Sequence, residues 1–285
     1  MSVFDFNQRA WDRLVESGNR WTVPVSSEAI AKARDGDWQL VLTPSLPVPA
    51  SWFPSLTGCR VLCLASGGGQ QGPTLSAAGA NVTVFDASEK QLLQDRMVAD
   101  RDGLALETVQ GDMADLSCFE DGAFDFIFHP CSNCFAEDIR PVWREAYRVL
   151  RPGGSIVSGF VQPIHGLFDP DLEKQGRFQL KFSMPHSDLK LSDEERENWF
   201  GSDAPVEFVH SLEDQLGGQL DAGFLIAGLY EDDWGGSEPI DQFIKCFVAV
   251  GAIKPTTYAP DRAPDRAPDR APDRAPDRAP DRAPD

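Results

Sequence analysis

The first stretch with the residue types and spacing to do chemistry is Gly67-Gly68-Gly69-Gln70-Gln71-Gly72, a G-x-G-x-x-G string between a short apolar run and a helical pattern. Missing Cβ atoms let a ligand approach the backbone there, at the N-terminus of the helix that follows. Asp86 lies nineteen residues past Gly67, at the end of the next apolar run, where a carboxylate can accept hydrogen bonds from both hydroxyls of a ribose. The pair predicts a nucleoside site; a plain chain turn and a helix cap are the structural alternatives. His129 follows a later apolar run, and its ordinary pKa of ~6.5 suits proton removal near neutrality. His165 and His186 stand behind it as candidates, and packing or surface roles remain open for all three. Cys131-Ser132-Asn133-Cys134 forms a C-x-x-C beside His129, but no second ligand pair occurs at matching spacing, so no metal site is expected. Asn133 is a polar group close to the same place, with loop backbone satisfaction as its alternative role.

These residues need elements to hold them. Arg60 to Ala65 reads as a strand running into the glycine string, and Pro73 to Ala78 as a helix stopped by Gly79. Val82 to Phe85 is a second strand ending on Asp86. Ser88 with Gln91 then opens a helix that carries Leu93 and Met97 on one face and stops by Gly103. Leu106 to Val109 and Phe124 to Phe128 are further strands, the latter buried on both faces. Pro141 starts a helix with Val142, Ala146, Val149 and Leu150 on one stripe, closed by Gly153-Gly154 before a fifth strand at Ser155 to Val161. This alternation predicts an α/β fold, a Rossmann-like, mostly parallel sheet with helices on both faces. Residues 224–230 and 243–253 suit an antiparallel hairpin on its edge.

Around this core the chain divides into residues 1–57, residues 58–258 and a tail, 259–285, of six Ala-Pro-Asp-Arg copies followed by Ala-Pro-Asp. The first part predicts a helix around Trp11, Leu14 and Val15, then an extended Trp-rich cover whose prolines exclude regular helix or central strand. Residues 162–210 break the rhythm and look inserted, with a strand at Phe178 to Phe182, a charged helix near Ser192 to Trp199, and afterwards a helix with Leu212, Leu216 and Leu220 in register. Both parts are candidates for a lid or an acceptor-binding region. The tail is expected to stay solvated without fixed conformation and is given no catalytic role.

Val61 to Gly69, Val82 to Asp86, Gln110-Gly111-Asp112-Met113, Phe124 to Ile127 and Tyr147-Arg148-Val149-Leu150-Arg151-Pro152-Gly153-Gly154 resemble successive motifs of the class I S-adenosylmethionine-dependent methyltransferases. The likeness covers roughly residues 58–161 and is nearest to the small-molecule branch that includes quinone-biosynthesis enzymes. It implies a seven-stranded sheet with S-adenosylmethionine as cofactor and a small-molecule methyl acceptor. It further implies that Gly67 and Gly69 line the methionine part, that Asp86 holds the ribose, that Asp112 and Met113 meet the adenine, and that His129 faces cofactor and acceptor. Two positions depart from the pattern: Cys63 stands where an acid is usual, and Ala65 replaces the first loop glycine. Ser66, Gln70 or Gln71 are the candidates to compensate. The glycine loop and Asp86 taken alone also fit an NAD-dependent oxidoreductase, although no Tyr-x-x-x-Lys pair stands out. The departures admit a non-catalytic S-adenosylmethionine-binding protein as well.

Charge narrows the partners. The chain carries 26 basic and 45 acidic residues, and without the tail the balance is still 20 against 38. Such a surface repels phosphate backbones, and no clustered basic patch is visible, so nucleic acid is not an expected substrate. No run of about 18 apolar residues and no leader-like start occur, which predicts a cytoplasmic protein off the membrane. The six cysteines are scattered through apolar runs, as for reduced structural thiols. Oligomeric state is not readable.

Overall fold

The computed structural model describes residues 2–256. In chain order the elements are α1 (Val3–Glu16), α2 (Ser27–Arg34), β1 (Arg60–Leu64), α3 (Gln71–Ala77), β2 (Asn81–Asp86), α4 (Glu89–Asp102), β3 (Leu106–Gln110), β4 (Phe124–His129), α5 (Arg140–Val149) and β5 (Leu150–Val161). There follow α6 (Pro170–Glu173), β6 (His186–Ser187), α7 (Asp193–Trp199), β7 (Phe208–Val209), α8 (Gly218–Ala222), β8 (Leu225–Asp232) and β9 (Phe247–Ile253). Seven strands form one sheet in the order β3-β2-β1-β4-β5-β9-β8, and β6 pairs with β7 in a separate two-stranded sheet. The first five strands of the large sheet pair in parallel, whereas β9 runs antiparallel to both β5 and β8. The Rossmann-like α/β architecture and the antiparallel edge hairpin are therefore as expected.

β1 shows why the sheet must be covered on both faces. Its apolar residues alternate between two layers: Val61 and Cys63 pack with Leu75, Leu92 and the N-terminal Trp38 and Phe53, while Leu62 and Leu64 pack with Val142, Trp143 and Val149 of α5. A run with no polar residue fits a strand that meets protein on each side. β1 and β2 are in register from Arg60 beside Asn81 to Leu64 beside Phe85, so the chain beyond β1 enters the glycine loop next to Asp86.

Several local expectations are corrected. Residues 27–34 form a regular helix, because the prolines of the N-terminal segment leave residues 25–43 free and the Ser26 side chain accepts the Ala29 N–H as its cap. Helix α4 begins and ends where expected, with Ser88 capping Gln91 N–H and Gly103 at φ 64°. The face carrying Leu93 and Met97 looks outward, and Leu92, Asp95, Val98 and Ala99 are buried instead. Leu212 and Leu220 are likewise exposed, since Glu213–Gly217 wraps as a wider π turn that rotates Gln215, Gly218 and Gln219 inward. Residues 178–182 form no strand; Leu180 makes a single bridge to Phe168. Gly153 and Gly154 lie within the long β5 rather than at a helix end, where a pairing irregularity opposite β4 absorbs them. The repeat tail lies outside the described residues.

Candidate active site

The carboxyl ends of β1 to β4 open into a cavity of about 790 Å³ whose far wall is built by α1 and the 162–210 insertion. Asn7 joins those two walls. It is buried in α1, donates through Nδ2 to Val206 O at 3.0 Å and Phe135 O at 3.2 Å, and accepts the Val206 N–H at 2.7 Å. α1 is also tied to the second β-α unit, because Asp12 Oδ1 accepts the Ser88 hydroxyl at 2.6 Å and the Lys90 N–H at 3.2 Å. Of the expected cofactor residues, Ser66, Gly67, Gln70, Asp86, Asp112 and Met113 line this cavity, while Gly69 and His129 do not.

The glycine loop has a local reason for each unusual residue. Ala65 adopts a left-handed backbone at φ 47°, the conformation glycine holds without strain, so the turn is kept at a cost of ~1–2 kcal/mol. Gly67 passes close to β2 and α4: a Cβ there would come within 2.7 Å of Gln91 Cβ and 3.1 Å of Asp86 Oδ2. Its N–H donates to Asp86 Oδ2 at 2.9 Å, and Ser88 N–H donates to Oδ1 at the same distance. These bonds orient the carboxylate and leave a lone pair on each oxygen for a ligand. Burial pushes the Asp86 pKa up and the backbone donors pull it back.

Gly69 serves the other side of the loop. A Cβ on it would meet Pro24 Cβ at 2.9 Å and Gln94 O at 3.0 Å, and its carbonyl accepts the Val25 N–H at 2.9 Å. The expectation that it lines the cofactor is thus corrected: it lets the N-terminal segment and α4 close on the loop. Gln70 shares that task, donating Nε2 to Val23 O at 2.8 Å while remaining on the cavity wall. Cys63 is wholly buried in the core layer under α3, where burial holds its thiol neutral, and it does not reach the cavity. The nearby acid comes from α4. Asp95, wholly buried, accepts the Gly68 N–H on Oδ2 at 2.9 Å, and burial drives its pKa up to about 8.

His129 is also corrected. Its ring is fully buried, with Nδ1 2.8 Å from Leu64 O and Nε2 2.7 Å from Asn133 Oδ1, so both nitrogens are engaged away from the cavity. Burial lowers its pKa, and a neutral ring has one N–H only. Nδ1 must donate to the Leu64 carbonyl. The facing amides then turn over, so that Asn133 donates to Nε2 and Gln215 donates to Asn133. His129 is a brace for the chain after β4 rather than a base for a bound molecule.

The far end of the cavity holds groups that the spacing of the sequence did not single out. His210 lies there with Nε2 2.9 Å from Ala136 O, and Glu207 precedes it across a strand that pairs with His186 and Ser187. The β-branched and aromatic residues of Val206-Glu207-Phe208-Val209 are a short strand signal. His165 and His186 reach the same cavity wall. Cys131 and Cys134 line it as well, as thiols held neutral by burial, and among the described residues no group of His, Cys, Asp and Glu is arranged to hold a metal.

A family profile described as a methyltransferase domain matches residues 62–158, the part that builds the glycine loop, Asp86 and β4. The chain is 51% identical over 249 residues to a Bacillus subtilis (strain 168) protein named uncharacterized methyltransferase YbaJ, covering 87% of this chain and 97% of that one. This chain belongs to the class I S-adenosylmethionine-dependent methyltransferases. A more distant relative of this methyltransferase is the sterol 24-C-methyltransferase ERG6B of Gibberella zeae, 26% identical over 188 residues, 56% of this chain and 49% of that protein. The fold is shared with an S-adenosylmethionine-dependent methyltransferase from Mesorhizobium loti at a TM-score of 0.55 and 20% identity, over 71% of this chain and 94% of that one. S-adenosylmethionine is the cofactor, and the donor set fits it. Asp86 presents acceptors for a diol, the Gly67 backbone runs along the cavity beside it, and the carboxylates of Asp86 and Asp112 on the wall suit a cationic cofactor. Nothing supports an NAD-dependent oxidoreductase or a non-catalytic binder.

Proposed function

We propose that this methyltransferase transfers the methyl group to a small molecule held between the cofactor loop and the insertion. The observation that carries this reading is the continuity of one cavity from Asp86 to an apolar, aromatic chamber bounded by Phe4, Trp11, Phe135, Phe182 and Phe200. A concave, aromatic-lined chamber of this kind suits a small, largely apolar ligand better than a polymer. The Gibberella zeae relative, by its name, acts on a sterol, and that apolar acceptor agrees with the lining here. The acidic chain and the absence of lining cations argue against nucleic acid.

Asp86 would hold the ribose, Asp112 and Met113 would meet the adenine, and Ser66 with the Gly67 backbone would lie along the methionine part. Ser66 Oγ and the Gln71 and Gln70 side chains form a relay of 3.3 and 3.4 Å contacts ending on Val23 O, which ties the loop to the N-terminal segment. When bound, S-adenosylmethionine supplies an electrophilic methyl group on a sulfonium. The chain's part is to align the acceptor and keep water out. α1 and residues 162–210 do the second through the Asn7 clamp, and so serve as the acceptor lid.

Calorimetric titration with S-adenosylhomocysteine tests the assignment. Wild type should bind in the micromolar range and Asp86→Ala should bind at least ~100-fold more weakly, since two charge-assisted hydrogen bonds are lost. Unchanged affinity in a folded Asp86→Ala protein refutes the site.

A further inference from the structure

A chain of buried side chains runs from the glycine loop to the acceptor end of the cavity. Leu64 O, at the end of β1, lies 2.8 Å from His129 Nδ1, His129 Nε2 lies 2.7 Å from the Asn133 amide, and that amide lies 3.0 Å from the Gln215 amide. All three side chains are buried, and of the three Gln215 alone lines the cavity. Its backbone is held firmly. Glu213–Gly217 is a π turn whose Asp214 O accepts the Trp143 Nε1–H at 3.1 Å, while Arg140 Nε donates to Asp214 Oδ1 at 2.9 Å and Gln219 Nε2 to Gln215 O at 3.1 Å. Short π turns often mark functional sites.

Each link in this chain has one sense. A carbonyl only accepts, so His129 Nδ1 carries the proton, and Nε2 of the fully buried neutral ring is a lone pair. Asn133 donates to that lone pair, and its oxygen accepts from the Gln215 nitrogen. What remains for the cavity is the Gln215 amide oxygen, which no described residue meets. His210, also on the cavity wall, is fixed independently. Its Nε2 lies 2.9 Å from Ala136 O and 3.2 Å from Asn133 O, so Nε2 carries the proton. Burial keeps the ring neutral, and Nδ1 is a lone pair with no hydrogen bond to a described residue. Backbone carbonyls thus set both groups, beside the same turn at residues 133–136, as acceptors.

We propose that the cavity selects its methyl acceptor for a hydrogen-bond donor, an O–H or N–H on an otherwise apolar small molecule, received by His210 Nδ1 and the Gln215 side-chain oxygen. This rests on the reading of the cavity as the methyltransferase active site. A molecule whose polar atoms are ketone or ether oxygens only sets lone pairs against lone pairs and leaves these acceptors unpaired, the mismatch that polar sites reject most strongly. His129 and Asn133 touch no ligand and are positioning residues: they keep the Gln215 amide from turning over. Because the chain starts on Leu64 O, the residue before the Ala65 turn, one set of hydrogen bonds joins the cofactor loop to the group that reads the acceptor.

The test uses the full chain with S-adenosylhomocysteine bound, titrated calorimetrically near pH 8 with probes of matched shape that differ in a donor: cyclohexanol against cyclohexanone, phenylethanol against acetophenone, indole against benzofuran. At least one donor should bind roughly tenfold or more above its partner, the ratio expected for one buried hydrogen bond. Asn133→Leu frees the Gln215 amide to turn over and should lower that ratio at least ~3-fold, whereas a merely structural loss would weaken both partners alike. Nitrogen NMR of the four imidazoles, assigned with His129→Gln and His210→Gln, should show the Nδ1–H tautomer for His129 and the Nε2–H tautomer for His210. The proposal is overturned if partners bind alike or the non-donors bind more tightly, if no donor binds, if a folded Asn133→Leu protein keeps the ratio, or if either ring is a cation or the opposite tautomer. The wild-type ratios and the tautomers decide the point should that variant not fold. Failure of S-adenosylhomocysteine to bind would instead strike the active-site reading, and the tautomers would still be read.

Discussion

Asp95 offers the sharpest quantitative test, because a single buried carboxyl braces the glycine loop from behind. It is wholly enclosed by protein, its Oδ2 accepts the Gly68 N–H at 2.9 Å, and its Oδ1 has no hydrogen-bond partner. Burial is the main cause that drives its pKa up to about 8, helped by the Asp86 charge and opposed by the Gly69 and Gly68 amides. In the unfolded chain the value is ~3.9. Between these values the folded state holds a proton that the unfolded state releases, so the contribution of Asp95 to stability is greatest below pH ~4 and falls as pH rises, by about 1.4 kcal/mol per pH unit, levelling above pH ~8. The accumulated loss is on the order of 4 kcal/mol at pH 7, a large part of a typical folding free energy of ~5–15 kcal/mol. Asp95→Asn keeps an acceptor for the Gly68 N–H and removes the titration. Urea unfolding followed by tryptophan fluorescence at pH 4.5, 7 and 9 should show the variant close to wild type at the lowest pH and several kcal/mol more stable at the two higher ones. Groups away from the loop titrate in both proteins and drop out of the difference to first order. A difference that stays flat, or a variant that loses ground as pH rises, refutes the argument: Asp95 would then be an anion held by the loop amides.

Two further outcomes are expected. Gly67→Ala places a Cβ 2.7 Å from Gln91 Cβ and 3.1 Å from Asp86 Oδ2, so S-adenosylhomocysteine affinity should fall at least ~10-fold, with a stability loss of ~1–3 kcal/mol from the forced shift; calorimetry and urea melts read the two effects. His129→Gln removes buried hydrogen bonds to Leu64 and Asn133 and should cost ~1–3 kcal/mol of stability, yet the pH–rate profile measured with any accepted substrate should keep its shape, because the imidazole does not reach the cavity; loss of a limb of that profile would contradict this placement.

The sequence by itself determined the parts of this protein that depend on neighbours in the chain. The unbroken apolar run of β1, the glycines after it and the acid ending β2 are local patterns, and the chemistry of backbone approach and ribose recognition follows from them in the order strand, loop, helix, strand. The alternation of strands and helices carried the sheet and its edge hairpin in the same way, and the Ser88 cap and Gly103 stop marked α4 to the residue. Tertiary structure decided what periodicity cannot rank. Leu93 and Met97 have the right spacing for a buried stripe, but α4 presents Leu92, Val98 and Ala99 to the sheet instead, and Asp95 on that face meets the Gly68 N–H of the loop. Gly69 and His129 sit in the right motifs and turn away from the cavity, since the N-terminal segment packs on one and a carbonyl and an amide hold the other. Gln215 and Asn7 carried no motif at all. Asn7 acts on Val206 across 199 positions of chain, and Gln215 takes its sense from Asn133, 82 positions away, in a cavity walled by elements from both ends of the sequence. Burial, and the pKa shifts that come with it, is set by everything that packs around a group, and only the assembled fold brings those surroundings together.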